Sequence, residues 1–228
     1  MAGFRRPQDL QPGNDSLWHR ETRPVIRSRA GFTLIELMVA MTIFGLVSAN
    51  MMMISKSGAS AIKNEAFHST LEDEANLTSN RIRRALLSAS ADSLDPVIPA
   101  PLGSDHLQFQ MTLGADEKGE TLFGEPEKIH WAADPDGRGR VLWTTSPALS
   151  NERTLVWSSA IPNLANGELA NGLDDNANLL TDETGLAFAV QEQEELKREV
   201  EVYLTVLRID PNGKPTPSQR RILVTCRN

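Results

Sequence analysis

Two groups of oxygen-bearing side chains stand where their chemistry calls for an explanation. The first is a single carboxylate. Glu36 lies five residues into the run FTLIELMVAMTIFGLVSANMMMI at 32–54, between Ile35 and Leu37. A carboxylate at the centre of a membrane helix costs roughly 2.5–3.5 kcal/mol on insertion scales, so such a residue is by default functional and needs a partner. The second group is in NGLDDNANLLTDE at 171–183, where Asp174, Asn176, Asn178 and Asp182 follow a D-x-N-x-N-x-x-x-D spacing. Alternate residues of a tight loop can turn their oxygens to one point, and calcium takes roughly six to eight oxygens. With Glu183 as an additional ligand and the Leu180 carbonyl as a backbone oxygen, calcium is the cofactor this sequence suggests. The loop departs from the EF-hand pattern, with Leu179 in place of glycine and Gly185 where a bidentate Glu would stand. The alternative reading is an Asx-rich surface turn.

Other chemistry is not written in the chain. There is no phosphate-binding Gly-x-x-x-x-Gly-Lys, no His-Glu-x-x-His and no Gly-x-Ser-x-Gly. His19, His68, His106 and His130 are scattered and read as structural or solvated. Trp131, Trp143 and Trp157 fall in three separate strand candidates and read as core or half-buried sheet residues. Cys226 is the single cysteine, in an apolar strand pattern, and reads as a small buried hydrophobe. No catalytic set emerges, so the expectation is a protein that is not an enzyme. A net charge of -7 argues against a nucleic-acid-binding surface.

The elements that must position Glu36 come next. Residues 1–31 carry six arginines against Asp9, Asp15 and Glu21, a net of +3, which leaves -10 for the remainder of a chain of net -7. A basic head followed at once by an apolar run is a membrane-targeting arrangement. The 23 residues of 32–54 suffice to cross a bilayer as a helix. With Arg27 and Arg29 before it and Lys56 after it, the positive-inside rule places the N-terminus in the cytoplasm and the rest outside. Val47-Ser48-Ala49 looks like a signal-peptidase site, but the apolar run continues through Ile54 and that route leaves Glu36 unexplained.

Arg29-Ala30-Gly31-Phe32-Thr33-Leu34-Ile35-Glu36-Leu37 resembles the type IV prepilin processing motif. The resemblance implies that a prepilin peptidase cuts after Gly31 and methylates the new N-terminal Phe32, and that Glu36 is the acid at the fifth mature position. A cut there leaves a cationic amine on Phe32, and the Glu36 carboxylate of a neighbouring subunit could neutralise it, since two buried opposite charges cost far less together than apart. The leader is long for this motif and contains Pro7, Pro12 and Pro24.

Beyond the membrane, Ile62, Ala66, Leu71, Ala75, Thr78, Ile82, Ala85 and Ala89 recur at helical spacing, and Asp95-Pro96 closes the pattern. This predicts helix from 32 to about 91, which the pilin resemblance makes one continuous spine. Strands are expected at 106–113, 127–133, 140–145, 153–159, 186–191, 198–209 and 220–226, divided by the turns Asp134-Pro135-Asp136-Gly137 and Asp210-Pro211-Asn212-Gly213. The last two strands read as a hairpin. The expected fold is therefore α+β and pilin-like, a long N-terminal helix packed on an antiparallel sheet. Its divisions are a leader at 1–31, a transmembrane segment at 32–55, the soluble half of the helix at 56–92 and a β-rich domain at 93–228.

The same resemblance points to a minor pseudopilin of a type II secretion system, J-type being most similar. It implies a bacterial inner-membrane location with the C-terminal domain in the periplasm. Its implied partners are prepilin peptidase, other pseudopilins or pilins, and an inner-membrane assembly platform. The runner-up is a W-type minor pilin of a type IV pilus, which the ending Arg227-Asn228 after an apolar strand also fits. A single-pass membrane-anchored periplasmic binding module is the reading of a different class.

Overall fold

The computed structural model describes residues 31–134, 138–194 and 197–227. Residues 1–30 of the leader expected at 1–31, residues 135–137 of the first expected turn, residues 195–196 and the terminal Asn228 lie outside the described residues. The chain divides into two compact units at Met52/Met53. One helix, α1, runs Leu34–Leu87 and includes the described apolar part of the first unit. The side chains of 34–54 are all exposed, and the helix is long and apolar enough there to cross a membrane.

In the second unit α1 packs on two antiparallel meanders. The first is β1 (His106–Ala115), β2 (Thr121–Ala133), β3 (Gly139–Thr145) and β4 (Arg153–Ile161), in that spatial order. The second is β5 (Leu186–Glu194), β6 (Lys197–Ile209) and β7 (Pro215–Arg227). All seven strands overlap the segments expected from sequence, and the single sheet anticipated there is two. The segment before β1 joins them, because Ser104 and Phe188 exchange backbone hydrogen bonds at 2.9 and 2.8 Å and Val190 N donates to Ile98 O.

The helix buries Leu71, Ala75, Thr78, Ser79, Ile82 and Leu86, a stripe at spacings of three and four with Ser79 beside it. That stripe meets Leu107 and Phe109 of β1, Ile129 of β2, Phe188 of β5, Val202 and Leu204 of β6, and Val224 of β7 in one core. The expected face is correct from Leu71 onward. Ile62 is 70% exposed and Ala66 is exposed, because the first helix side chain to meet the core is Phe67. Near its other end Leu86 is the fully buried residue and Ala85 only half-buried. The helix also stops before 91. Ser88 N and Ala89 N tighten onto Ala85 O and Leu86 O, and Ser90 N then donates to Gln110 O of β1, which turns the chain into sheet pairing.

The expected hairpin joins β6 and β7 in register from Lys197↔Arg227 to Ile209↔Pro215. Asp210 makes its turn: its N–H donates to Lys214 O at 2.8 Å, and its Oδ1 accepts from Asn212 N and Lys214 N at 2.9 and 2.7 Å. Gly213 takes φ +84°, the left-handed region that the turn requires. Cys226 is buried, with Sγ donating to Leu86 O at 3.3 Å, and burial pushes its thiol up to about 11. The three tryptophans are half-buried and pack against the core; Trp143 and Trp157 stack with centroids 5.6 Å apart.

Candidate functional site

The first candidate region is the start of α1. Thr33 is the N-cap: its carbonyl accepts from Leu37 N at 3.2 Å and its Oγ1 accepts from Glu36 N at 3.3 Å. Glu36 reaches back, and its Oε2 accepts from Thr33 N and Thr33 Oγ1, both at 2.9 Å. This is a capping box, in which two otherwise unpaired backbone donors are satisfied reciprocally. Sequence reasoning treated Glu36 only as half of an intersubunit charge pair and missed this role, although Thr33-x-x-Glu36 is the signature of it. The two roles do not compete for the same atom, since Oε1 has no hydrogen-bond partner among the described residues. Phe32 is 86% exposed, and nothing stands within 4 Å of the place a Gly31 Cβ would take. Phe32, Ile35, Val39, Ala40 and Ile43 surround Glu36 in an open apolar hollow of about 370 Å³.

The second region is the loop between β4 and β5. The suggested calcium ligands do not all converge. Asp174 caps the loop: Oδ1 accepts from Asn178 N at 3.1 Å and Oδ2 from Leu179 N at 2.9 Å. Asp182 turns the other way, accepting from Asn171 N and Gly172 N at 2.9 and 2.8 Å. Asn176, Asn178 and Glu183 do come together: both amide nitrogens donate to Glu183 Oε1, at 2.9 and 2.5 Å. Asn176 and Asn178 also accept through Oδ1 from Asn178 N and Leu180 N, so each Asx side chain templates the turn ahead of it. Leu180 is fully buried against Ala187, Ala189 and Tyr203 on the second face of β5 and β6, which pins the loop.

Both departures from the EF-hand pattern have a structural content. Leu179, in the position of the usual glycine, is held at φ +76°, a left-handed conformation that a side chain adopts at a cost of order 1–3 kcal/mol. Gly185 has no room for a side chain at all, since a Cβ there would lie 2.7 Å from Pro162 O and from Ile161 Cγ2. A bidentate Glu could not stand at 185 without moving backbone.

A carboxylate that the spacing did not reveal is instead present. Glu168 is 6% exposed and its Oε1 accepts from Asn176 N at 3.1 Å. Burial, with the nearby Glu183 charge adding to it, holds its carboxyl above the usual carboxylate range. Nothing in the sequence around Gly167-Glu168-Leu169 marks it, because it enters by tertiary folding of the loop rather than by periodic spacing.

Of the sequence's histidines, His19 lies outside the described residues, and His68 is an exposed residue of α1. His106 and His130 are opposed across β1 and β2, and burial with Lys128 nearby lowers His130. Among the described residues no three His, Cys, Asp or Glu side chains are grouped so that they could hold a metal ion.

Set against known families, residues 26–49 match the prokaryotic N-terminal methylation motif. No curated protein and no solved structure matches the chain significantly. The match covers the N-terminal segment alone. It supports a type IV pilin-like or pseudopilin precursor, a structural subunit that prepilin peptidase processes and that assembles with other pilins. With the apolar first part of α1, it fits a membrane-anchored protein.

Proposed function

We propose that the chain is a minor pseudopilin of a type II secretion pseudopilus, most similar to the J-type. In this reading it is inserted once in the bacterial inner membrane, with its β-rich domain in the periplasm. Prepilin peptidase cuts it after Gly31 and methylates Phe32, and an inner-membrane assembly platform joins it to other pseudopilins in the filament or at its tip. The observation that carries the reading is Glu36. It is the one charged side chain in the exposed apolar stretch of α1, it is placed by Thr33, and its Oε1 has no hydrogen-bond partner among the described residues. A carboxylate there gains most from a cation that arrives with a neighbour, and the amine freed on that neighbour's Phe32 is such a cation.

The test has two arms. Mass spectrometry of the chain extracted from membranes should find an N-terminal methylated Phe32, and Gly31→Val should leave the precursor uncut. An N-terminus at Asn50 would overturn the reading. Glu36→Ala should still insert and be cut, because it makes the segment more apolar, while crosslinking to other pseudopilins and secretion both fall. Unchanged crosslinking and secretion would remove Glu36 from assembly. Loss of surface pili with secretion intact would replace the type II assignment by a W-type minor pilin.

A further inference from the structure

Two exposed parts of the β-rich unit complement each other in polarity, charge and open strand edges. The first is the end of the β1–β2 hairpin. Asp116 builds its turn: Oδ1 accepts from Lys118 N and Glu120 N at 2.9 and 2.8 Å, and its carbonyl accepts from Gly119 N at 3.0 Å. Behind the turn Leu113, Leu122 and Phe123 are 69%, 48% and 44% exposed. Glu117 and Glu120 are exposed beside them, and with Asp116 against Lys118 the tip carries a net charge of -2. The β3 ladder does not reach this end of β2, since it begins at Glu127. A two-stranded ribbon is marginally stable alone, and an apolar one with a free edge invites a cover.

The second part is a groove of about 780 Å³ where the end of α1 meets β7. Its lining includes Arg83 and Leu87 of α1, Ala89 just after it, Thr112 of β1, and Leu223 and Arg227 of β7. Leu87 and Leu223 are exposed. Neither Arg83 nor Arg227 has an ion pair among the described residues. β7 is the edge of its sheet, so no strand pairs with its outer side.

We propose that this groove receives the β1–β2 hairpin end of a second copy of the chain, two copies exchanging hairpins about a two-fold axis. Charge selects the occupant: two unpaired guanidinium groups beside apolar side chains complement a tip of -2 that is itself apolar behind the turn. Within one chain the two do not cover each other, since the apolar side chains of both remain exposed. Thr112 belongs both to the groove and to the root of the hairpin. A hairpin therefore has only to pass its own root to enter a neighbour lying against it, and Thr112 to Asp116 spans roughly 13 Å as strand. A two-fold arrangement uses the contact twice and closes on itself. It also brings the free edge of β2 to the outer edge of β7, which covers both. The contact involves neither Phe32 nor Glu36 and is independent of the filament assignment.

The experiment mixes two differently tagged forms of the full chain in detergent, one with Thr121→Cys and the other with Ser88→Cys, and adds a short bismaleimide. Both positions are exposed and both substitutions leave every charge in place. Cross-linked pairs bearing both tags should form, and should be scarce when the second form carries Leu155→Cys, an exposed position of β4 outside both parts. Arg83→Glu with Arg227→Glu in the Ser88→Cys form should lower the yield roughly fivefold or more, and Glu117→Lys with Glu120→Lys in the Thr121→Cys form should restore it. A misfolded variant could not give that restoration. No cross-link between the first two forms, a yield equal to that with Leu155→Cys, or a yield indifferent to the arginine substitutions overturns the contact. Should the charge variants fail to fold, the first pair and its Leu155→Cys control still decide it. Processing and filament assembly that proceed without the cross-link would disprove this contact and leave the proposed function standing.

Discussion

Ser158 on β4 donates its hydroxyl hydrogen to Glu74 Oε1 of α1 at 2.8 Å, across 84 residues of chain. The other oxygen of Glu74 lies 2.6 Å from the Arg208 guanidinium of β6, so one helix carboxylate joins strands of both sheets. Two residues earlier Glu72 accepts from Ser218 of β7 at 2.9 Å and pairs with Arg220. The apolar stripe of α1 places the helix on the core; these acids fix its rotation and its position along the axis.

Glu74→Ala should consequently destabilise the β-rich unit by about 2–3 kcal/mol, the range for hydrogen bonds to a charged group that leave a partner unsatisfied. Glu74→Gln should fall between, since it keeps an acceptor for Ser158 and loses the charge facing Arg208. Thermal unfolding followed by near-ultraviolet circular dichroism reads both. Equal melting of all three proteins would show that the apolar stripe alone sets the helix position.

Much of this was legible from sequence. The alternation of 199–206 and the Asp210 to Gly213 turn define the β6–β7 hairpin without tertiary information. What was not legible has physical causes. The first halves of β2 and β7 contain Pro126, Pro215 and Pro217, which argue against strands. Each is tolerated at a margin of its sheet: the ladder of β2 with β3 begins only at Glu127, although the Pro126 carbonyl accepts from Ser146 N, and β7 is an edge strand. The division into two sheets falls at the long β4–β5 loop, where two strands consecutive in the chain are neighbours in neither sheet, and no local pattern encodes that. At the first site Gly31, Phe32 and Glu36 were legible because the processing motif is contiguous. In the loop, Glu168 was not, because folding alone brings it to Asn176.

Gly139 opens β3, and its place is defined by Trp131. A Cβ at 139 would lie 1.9 Å from Trp131 Nε1, although the two residues belong to different strands. Gly139→Ala should therefore displace the indole and cost about 1–3 kcal/mol, the usual penalty for overpacking. The Trp emission should shift as the ring moves. Unchanged emission and melting would mean the indole has a second rotamer at little cost.

Cys226 should be inert until the fold opens. It is 1% exposed, its thiol is held at about 11 by burial, and its hydrogen is committed to Leu86 O. Thiolate is the reactive form. A maleimide reagent at pH 7.5 should thus label the native chain very slowly and the denatured chain at once. The labelling rate then reports local opening of β7 from the end of α1. Rapid labelling without denaturant would contradict the packing of β7 on Leu86.

Glu127 offers a pH-dependent test of the first sheet. The residue is 8% exposed, at the point where β2 gains its second neighbour, and its Oε2 accepts from Trp143 Nε1 at 2.8 Å. Burial raises its carboxyl above the ordinary 4.5, and the Trp143 bond only partly opposes that. A group whose folded value is raised contributes stability that is fully present below the unfolded value and is lost as pH rises through the folded value. As pH rises towards neutral, the burial of the Glu127 carboxyl therefore weakens the sheet. Glu127→Gln keeps an oxygen for Trp143 and carries no charge. The variant should be more stable than the parent at pH 7, and the two melting curves should converge as pH falls below about 4, where the parent carboxyl is protonated. Melting followed by Trp emission from pH 3.5 to 8 checks both the sign and the convergence. A gap between the two proteins that stays constant across that range would assign the difference to packing, not to the buried charge.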